Sequence, residues 1–195
     1  MLLENNICSS GKLLLAERLF KLGARPPLVC AVCKISTKTA IRWYKTINQC
    51  APKQGMLPYD LFWISYSAVH NIHASIFLGL IHDYCKACNQ TTFNAKILID
   101  AFNLYGQVVT NNPTLSKREK SAKNTLLLDI NRAWQLANQL TYGAIQLKIC
   151  EKCKTRFVVL NKLPIPFQQC PICDVWADKI GRRRWKTVVC KNKIP

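Results

Sequence analysis

A chain of 195 residues has room for one ordinary domain and a small appendage. With 49% hydrophobic residues it can build a sizeable core, which argues against wholesale disorder. Its 28 Lys and Arg against 10 Asp and Glu give a net charge of +18, a balance that favours polyanionic partners, nucleic acid before an anionic membrane.

The opening segment carries Glu4 and no uninterrupted apolar stretch, so no signal peptide is expected. The longest apolar run in the middle of the chain, Ile76–Ile81, is far too short to span a bilayer, so no membrane role is expected. A cytoplasmic location follows as an expectation. There the 11 cysteines would stay thiols or bind metal, and their odd number argues against a closed disulfide framework.

In chain order, the sequence up to Tyr142-Gly143 reads as helical, and a mostly α fold is expected. Ser10 and Gly11 precede an apolar-periodic stretch over 12–22, and Gly23 fits the stop of that helix. Two short helices are predicted over 26–33 and 36–47. The linker Gln49–Pro58, with two prolines and a glycine, breaks the chain there. A long apolar helix over 61–85 and another over 94–108 follow, and Asn111-Asn-Pro113 ends the second. The charged stretch 116–124 reads as a solvated loop or helix start. Leu127, Ile130, Trp134, Ala137 and Leu140 then recur at helical intervals. The pattern changes at Tyr142-Gly143 to short extended pieces, 144–149 and 156–160. The expected organisation is a helical domain over 1–143, a small zinc-ribbon-like module over 144–176 and a basic tail over 177–195.

That module carries the strongest chemical signal. Cys150-Glu-Lys-Cys153 and Cys170-Pro-Ile-Cys173 are two C-x2-C pairs. Zinc needs four soft donors in a tetrahedron at about 2.3 Å, and one tight turn supplies only two of them. A hairpin using Arg156–Leu160 and a proline-rich return with Pro164, Pro166 and Pro171 would bring the second pair to the first. So small a module needs a metal to fold. With all four positions cysteine there is no open place for a reacting water, so one structural Zn2+ per chain is expected. Four unliganded thiols and a redox C-x-x-C pair are the alternatives. Cys30/Cys33 and Cys85/Cys88 repeat the spacing near helix ends. Small core residues are one explanation, and a second metal joining the two pairs is the other.

Residues 26–47 resemble a helix-turn-helix. Ile35 and Ser36 look like the apolar residue and N-cap that open a second helix. Ala40, Ile41, Tyr44 and Ile47 would pack inward. Thr37, Lys38, Arg42 and Lys45 would face outward and offer hydroxyls and cations to phosphates and base edges. Lys34, at the turn position where glycine is common, joins this candidate DNA-binding set. In the tail, so do Arg182, Arg183, Arg184 and Lys186, which suit phosphate neutralisation. A helical hairpin with a solvated basic face, and a solvated charged tail, are the alternatives.

His70 and His73 lie one helical turn apart and are read as core or interface groups with hydrogen bonds. Trp43, Tyr44, Tyr59, Phe62, Trp63 and Trp134 are read as packing anchors. No paired-carboxylate motif, phosphate loop or nucleophile elbow is present, so no enzyme is expected.

Five stretches together resemble the FlhC family of flagellar transcriptional activators. They are Leu22-Gly-Ala-Arg25, Pro52–Pro58, Asn71-Ile-His-Ala-Ser75, Asn131-Arg-Ala-Trp134 and the two final C-x2-C pairs, in one order across most of the chain. The resemblance implies a DNA-binding activator subunit working with FlhD, as four FlhD and two FlhC chains, on flagellar class II promoters through RNA polymerase. It also implies that Cys150, Cys153, Cys170 and Cys173 match the family's zinc ligands. A zinc-ribbon adaptor that binds protein or RNA without promoter specificity is the alternative.

Overall fold

The computed structural model describes residues 2–112, 126–161 and 170–173, with side chains from Ser10 onward. The described residues are mostly helical: α1 Leu2–Lys21, α2 Pro26–Cys33, α3 Thr37–Asn48, a short 3₁₀ helix Leu61–Ser65, α4 Ala68–Ala87, α5 Ala95–Asn111 and α6 Ile130–Thr141. Strands β1, Ile145–Ile149, and β2, Arg156–Leu160, close the order as an antiparallel pair.

Most helix starts are fixed by a side chain that accepts a free N-terminal amide. Ser36, Ser67, Asn94 and Asp129 cap α3, α4, α5 and α6 in this way. Gly23, at φ +86°, turns the chain after α1 without the penalty that a side chain would bring.

Helix α6 begins at Ile130 behind its Asp129 cap, so Leu127 precedes it, and two further boundaries differ from the pattern reading. Helix α1 runs through Ser10 and Gly11. The long apolar helix expected over 61–85 is a 3₁₀ turn and a separate α4, because Ser67 is extended at φ −161° and its hydroxyl accepts the amide of His70. An apolar run alone does not show such a cap. The charged stretch 116–124 lies outside the described residues.

One core joins the elements. Leu19 and Phe20 of α1, Leu28 and Val29 of α2, Phe77 and Leu78 of α4, Leu98 and Phe102 of α5, and Ala133 and Leu136 of α6 are all buried in it. Phe20 meets Tyr44 of α3 edge to face at 5.2 Å. His73 is buried and bonded to the Tyr105 hydroxyl at 2.6 Å, and His70 to the Ser67 hydroxyl at 2.7 Å, so both fill the roles the sequence suggested. Trp63 is an anchor as expected, whereas Tyr59 and Phe62 stay 52% and 53% exposed. The 3₁₀ turn buries the neighbouring Trp63 and Ile64 and leaves Phe62 outside.

The hairpin serves two clusters through its two faces. Ile145 stands opposite Leu160 and Leu147 opposite Val158. That face joins the helical core, with Ile145, Val158 and Leu160 buried in it. Phe157 and Val159 point the other way and pack with Cys150, Cys170 and Cys173. The strand period of two thus divides one hairpin between helices and cysteines.

Candidate functional site

The cysteine site begins at the end of β1. The Lys154 amide donates to the Cys150 carbonyl at 2.9 Å, and the Cys150 amide to the Thr155 carbonyl at 2.9 Å. Lys154 takes a left-handed conformation, φ 59°, to close this turn. The turn aims the Cys150 and Cys153 thiols toward Cys170 and Cys173, on the short helical stretch 171–173. Cys150 Sγ lies 3.9 Å from Cys173 Sγ, and Cys153 Sγ 3.2 Å from Cys170 Sγ. All four sulfurs fall within 4.8 Å of one another. A metal held by thiolates at about 2.3 Å has its sulfurs about 3.8 Å apart along each tetrahedral edge. The four residues therefore fit a tetrahedral cation and can hold a metal ion.

Their proton affinities diverge. Backbone amides of Cys153, Cys170 and Lys152 pull the Cys150 thiol down to about 6 despite its burial. Hydrogen bonds from Thr155 also lower Cys153. Burial raises Cys170, and the shared proton with Cys153 pushes Cys173 up to about 12. Four thiols this close cannot all ionise without a counter-charge, which a divalent cation supplies.

Among the described residues this is the one group of three or more cysteine, histidine or carboxylate side chains placed to hold a metal. Cys30/Cys33 and Cys85/Cys88 are not drawn into such a group. Cys33 is a buried core residue, and burial pushes its thiol up to about 11. Burial raises Cys85 too.

The second candidate surface lies on α3. Its hairpin with α2 turns at Lys34, which is left-handed at φ 52° and returns its amide to the Cys30 carbonyl. Ser36 Oγ accepts the Thr39 amide at 3.1 Å and bonds the Thr39 hydroxyl at 2.8 Å. Ala40 is buried, and Ile41, Tyr44 and Ile47 are half-buried. Lys34, Thr37, Lys38, Arg42 and Lys45 are all exposed. The structure thus gathers these five polar groups on the turn and outer face of one capped helix. Arg182, Arg183, Arg184 and Lys186 lie outside the described residues.

Behind this hairpin the quoted stretches meet. Asn131 Oδ1 accepts the Arg25 amide at 2.8 Å, and Asn131 Nδ2 donates to the Gly23 carbonyl at 3.1 Å. The Arg25 guanidinium donates to the carbonyls of Met56 at 2.7 Å, Lys53 at 3.1 Å and Gly55. Asn71 Nδ2 reaches the carbonyls of Ile64 at 3.3 Å and Val158 at 2.9 Å, while the Ser75 hydroxyl accepts the Val158 amide at 2.9 Å. Arg25, Asn71 and Asn131 are therefore structural links between distant segments. Nothing in residue spacing marks them.

The flagellar transcriptional activator (FlhC) family model matches residues 4–186. This chain belongs to the FlhC family. It is 27% identical to the flagellar transcriptional regulator FlhC of Proteus mirabilis, over 87% of this chain and 82% of that protein. It is 30% identical to that of Erwinia tasmaniensis, over 82% of this chain and 83% of that protein. For Gallionella capsiferriformans the figures are 31%, 74% and 72%. This FlhC family member keeps both C-x2-C pairs within the matched span, and among its described residues no helix is long and apolar enough to cross a membrane.

Proposed function

We propose that this chain is the DNA-binding subunit of a transcriptional activator that works with FlhD on flagellar class II promoters through RNA polymerase. The observation that carries the reading is the exposed, Ser36-capped face of α3, with Thr37, Lys38, Arg42 and Lys45 aligned on it and Lys34 at its turn. A helix of this kind fits the major groove of duplex DNA, where cations and hydroxyls meet phosphates and base edges. The net charge of +18 adds sequence-independent attraction, and Arg182, Arg183, Arg184 and Lys186 would extend it along the phosphates. The metal is Zn2+, one per chain, held by Cys150, Cys153, Cys170 and Cys173. Four protein thiolates saturate it, so it acts as a staple for the C-terminal module. The complex is a heterohexamer of four FlhD and two FlhC chains in the cytoplasm.

Gel-shift titration of the complex with FlhD against a class II promoter and a random duplex, at physiological salt, tests the reading. Tighter binding to the promoter is expected, and equal binding to both sinks the claim of a specific regulator. Arg42→Ala should weaken promoter binding about tenfold and leave the melting temperature unchanged. Loss of both would make Arg42 a structural residue.

A further inference from the structure

The cations of α3 differ from the others in what they touch. Between Glu17 and Asp60 the sequence holds no Asp or Glu, so Lys38, Arg42 and Lys45 meet no carboxylate from their own hairpin. The other arginines with described side chains are all engaged. Arg18 pairs with Asp100 at 3.6 Å, and Arg25 donates to the carbonyls of Lys53, Gly55 and Met56. Arg132 donates to the Asp60 carbonyl at 3.1 Å, and Arg156 to the Asp83 carboxylate at 2.6 Å. The exposed Arg42 is the one guanidinium that finds no acceptor among the described residues.

Its place on the helix matters as much. Ala40, Tyr44 and Ile47 turn α3 inward, and Tyr44 meets the buried Phe20 edge to face. At about 100° per residue, Arg42 stands roughly 165° from the mean direction of those three, on the crest of the exposed face. Lys38 and Lys45 lie about one turn before and after it, on one flank of that crest. On the other flank the Thr39 hydroxyl is bonded to Ser36, and the Thr46 hydroxyl donates to the Arg42 carbonyl.

When such a helix enters the major groove, its crest faces base edges and its flanks face phosphates. A guanidinium carries parallel N–H donors in a fixed fork, and guanine alone shows two acceptors, N7 and O6, side by side in that groove. Adenine places an amino group beside its N7 and opposes the second donor. Lysine is a compact point charge, suited to a phosphate and indifferent to the base. We propose that Arg42 reads the edge of a guanine and is the specificity-determining residue of this surface, while Lys38 and Lys45 hold the helix on the phosphates. The inference rests on the proposed DNA binding by α3 and adds which residue selects sequence, and for which base.

The test uses the full zinc-loaded chain in complex with FlhD. It is titrated against class II promoter duplexes in which guanines are replaced, one at a time, by the analogue that lacks N7. Parent binding should fall several-fold at a single guanine of each half-site and hold at the others. Arg42→Lys keeps the charge and loses the fork. It should bind random duplex as the parent does, with the same salt dependence, yet lose several-fold on the promoter and ignore the analogue at that guanine. If Arg42→Lys still senses the analogue there, another residue reads the base and the inference is overturned. It is overturned too by a parent that prefers the promoter but ignores every analogue, a result that leaves the α3 reading standing. Should Arg42→Ala weaken promoter and random duplex equally, with a shallower salt dependence, Arg42 is a phosphate contact and the inference fails. A parent that binds promoter and random duplex alike removes the proposed function, and the inference with it. Both variants should melt with the parent, and if Arg42→Ala melts early, Arg42→Lys decides the matter alone.

Discussion

Lys34 shows one side chain meeting two demands. At φ 52° it occupies a conformation that costs an L-residue about 1–2 kcal/mol and that glycine adopts freely. The turn would be more stable with glycine, yet the lysine stands exposed beside Lys38 on the face proposed for DNA. Lys34→Gly should therefore raise the unfolding free energy by about 1 kcal/mol in urea titration. The same variant should bind duplex DNA more weakly, with a shallower dependence on salt as one phosphate contact is lost. A variant both more stable and equally tight would remove Lys34 from the interface. Among the sulfurs, Cys33 belongs to the core, whereas Cys150, Cys153, Cys170 and Cys173 stand close enough together to hold a metal. Spacing alone cannot separate such pairs, since Cys30/Cys33 shares the C-x2-C pattern. What separates them is the hairpin that carries one C-x2-C pair to another.

Between elements, two of the links that join α4 to β2 differ in worth. Arg156 meets Asp83 through both guanidinium nitrogens, at 2.7 and 2.6 Å, and holds that carboxyl down to about 2. Asp83 is half exposed, so solvent screens the pair and its contribution stays below about 1 kcal/mol. A carboxyl pKa lowered in the folded state stabilises the fold above its ordinary value near 3.8 and loses that contribution as pH falls toward 2. At neutral pH the pair is fully formed. Asn71 is buried and donates to the carbonyls of two other buried residues, Ile64 and Val158. Leaving buried acceptors without a donor costs about 1–3 kcal/mol. Asn71→Ala should thus cost about 2–3 kcal/mol in urea unfolding, and Asp83→Asn under 1. The reverse order would mean that the ion pair holds the hairpin to α4. Helix periods and caps made most elements legible in advance, including Ser36 at the head of α3. Ser67 was not legible, because apolar residues on both sides of it continue one helical pattern. Arg25 and Arg132 escaped for another reason. Their partners are carbonyls 28 to 31 and 72 residues away, and a backbone carbonyl leaves no mark in a sequence.

For the molecule as a whole, the hairpin decides what the proposed zinc would stabilise. Its inner face, Ile145, Val158 and Leu160, is buried with the helices and needs no cation to stay there. Its outer face, Phe157 and Val159, is covered by Cys150, Cys170 and Cys173, which without a metal lose the one group that would tie them to Cys153 and to one another. Thiolate binding of structural zinc supplies about 10–16 kcal/mol in small modules, far more than these few apolar contacts. Chelation should therefore unfold the C-terminal module and leave the helices folded. Cys150→Ser should reproduce this: bound zinc falls below one ion per chain, proteases cut beyond Leu160, and the helical circular dichroism signal persists. Normal zinc content in that variant would contradict the ligand assignment. Loss of the helical signal along with the metal would mean that the inner face of the hairpin cannot hold by itself, and that helices and cysteine site fold as one unit.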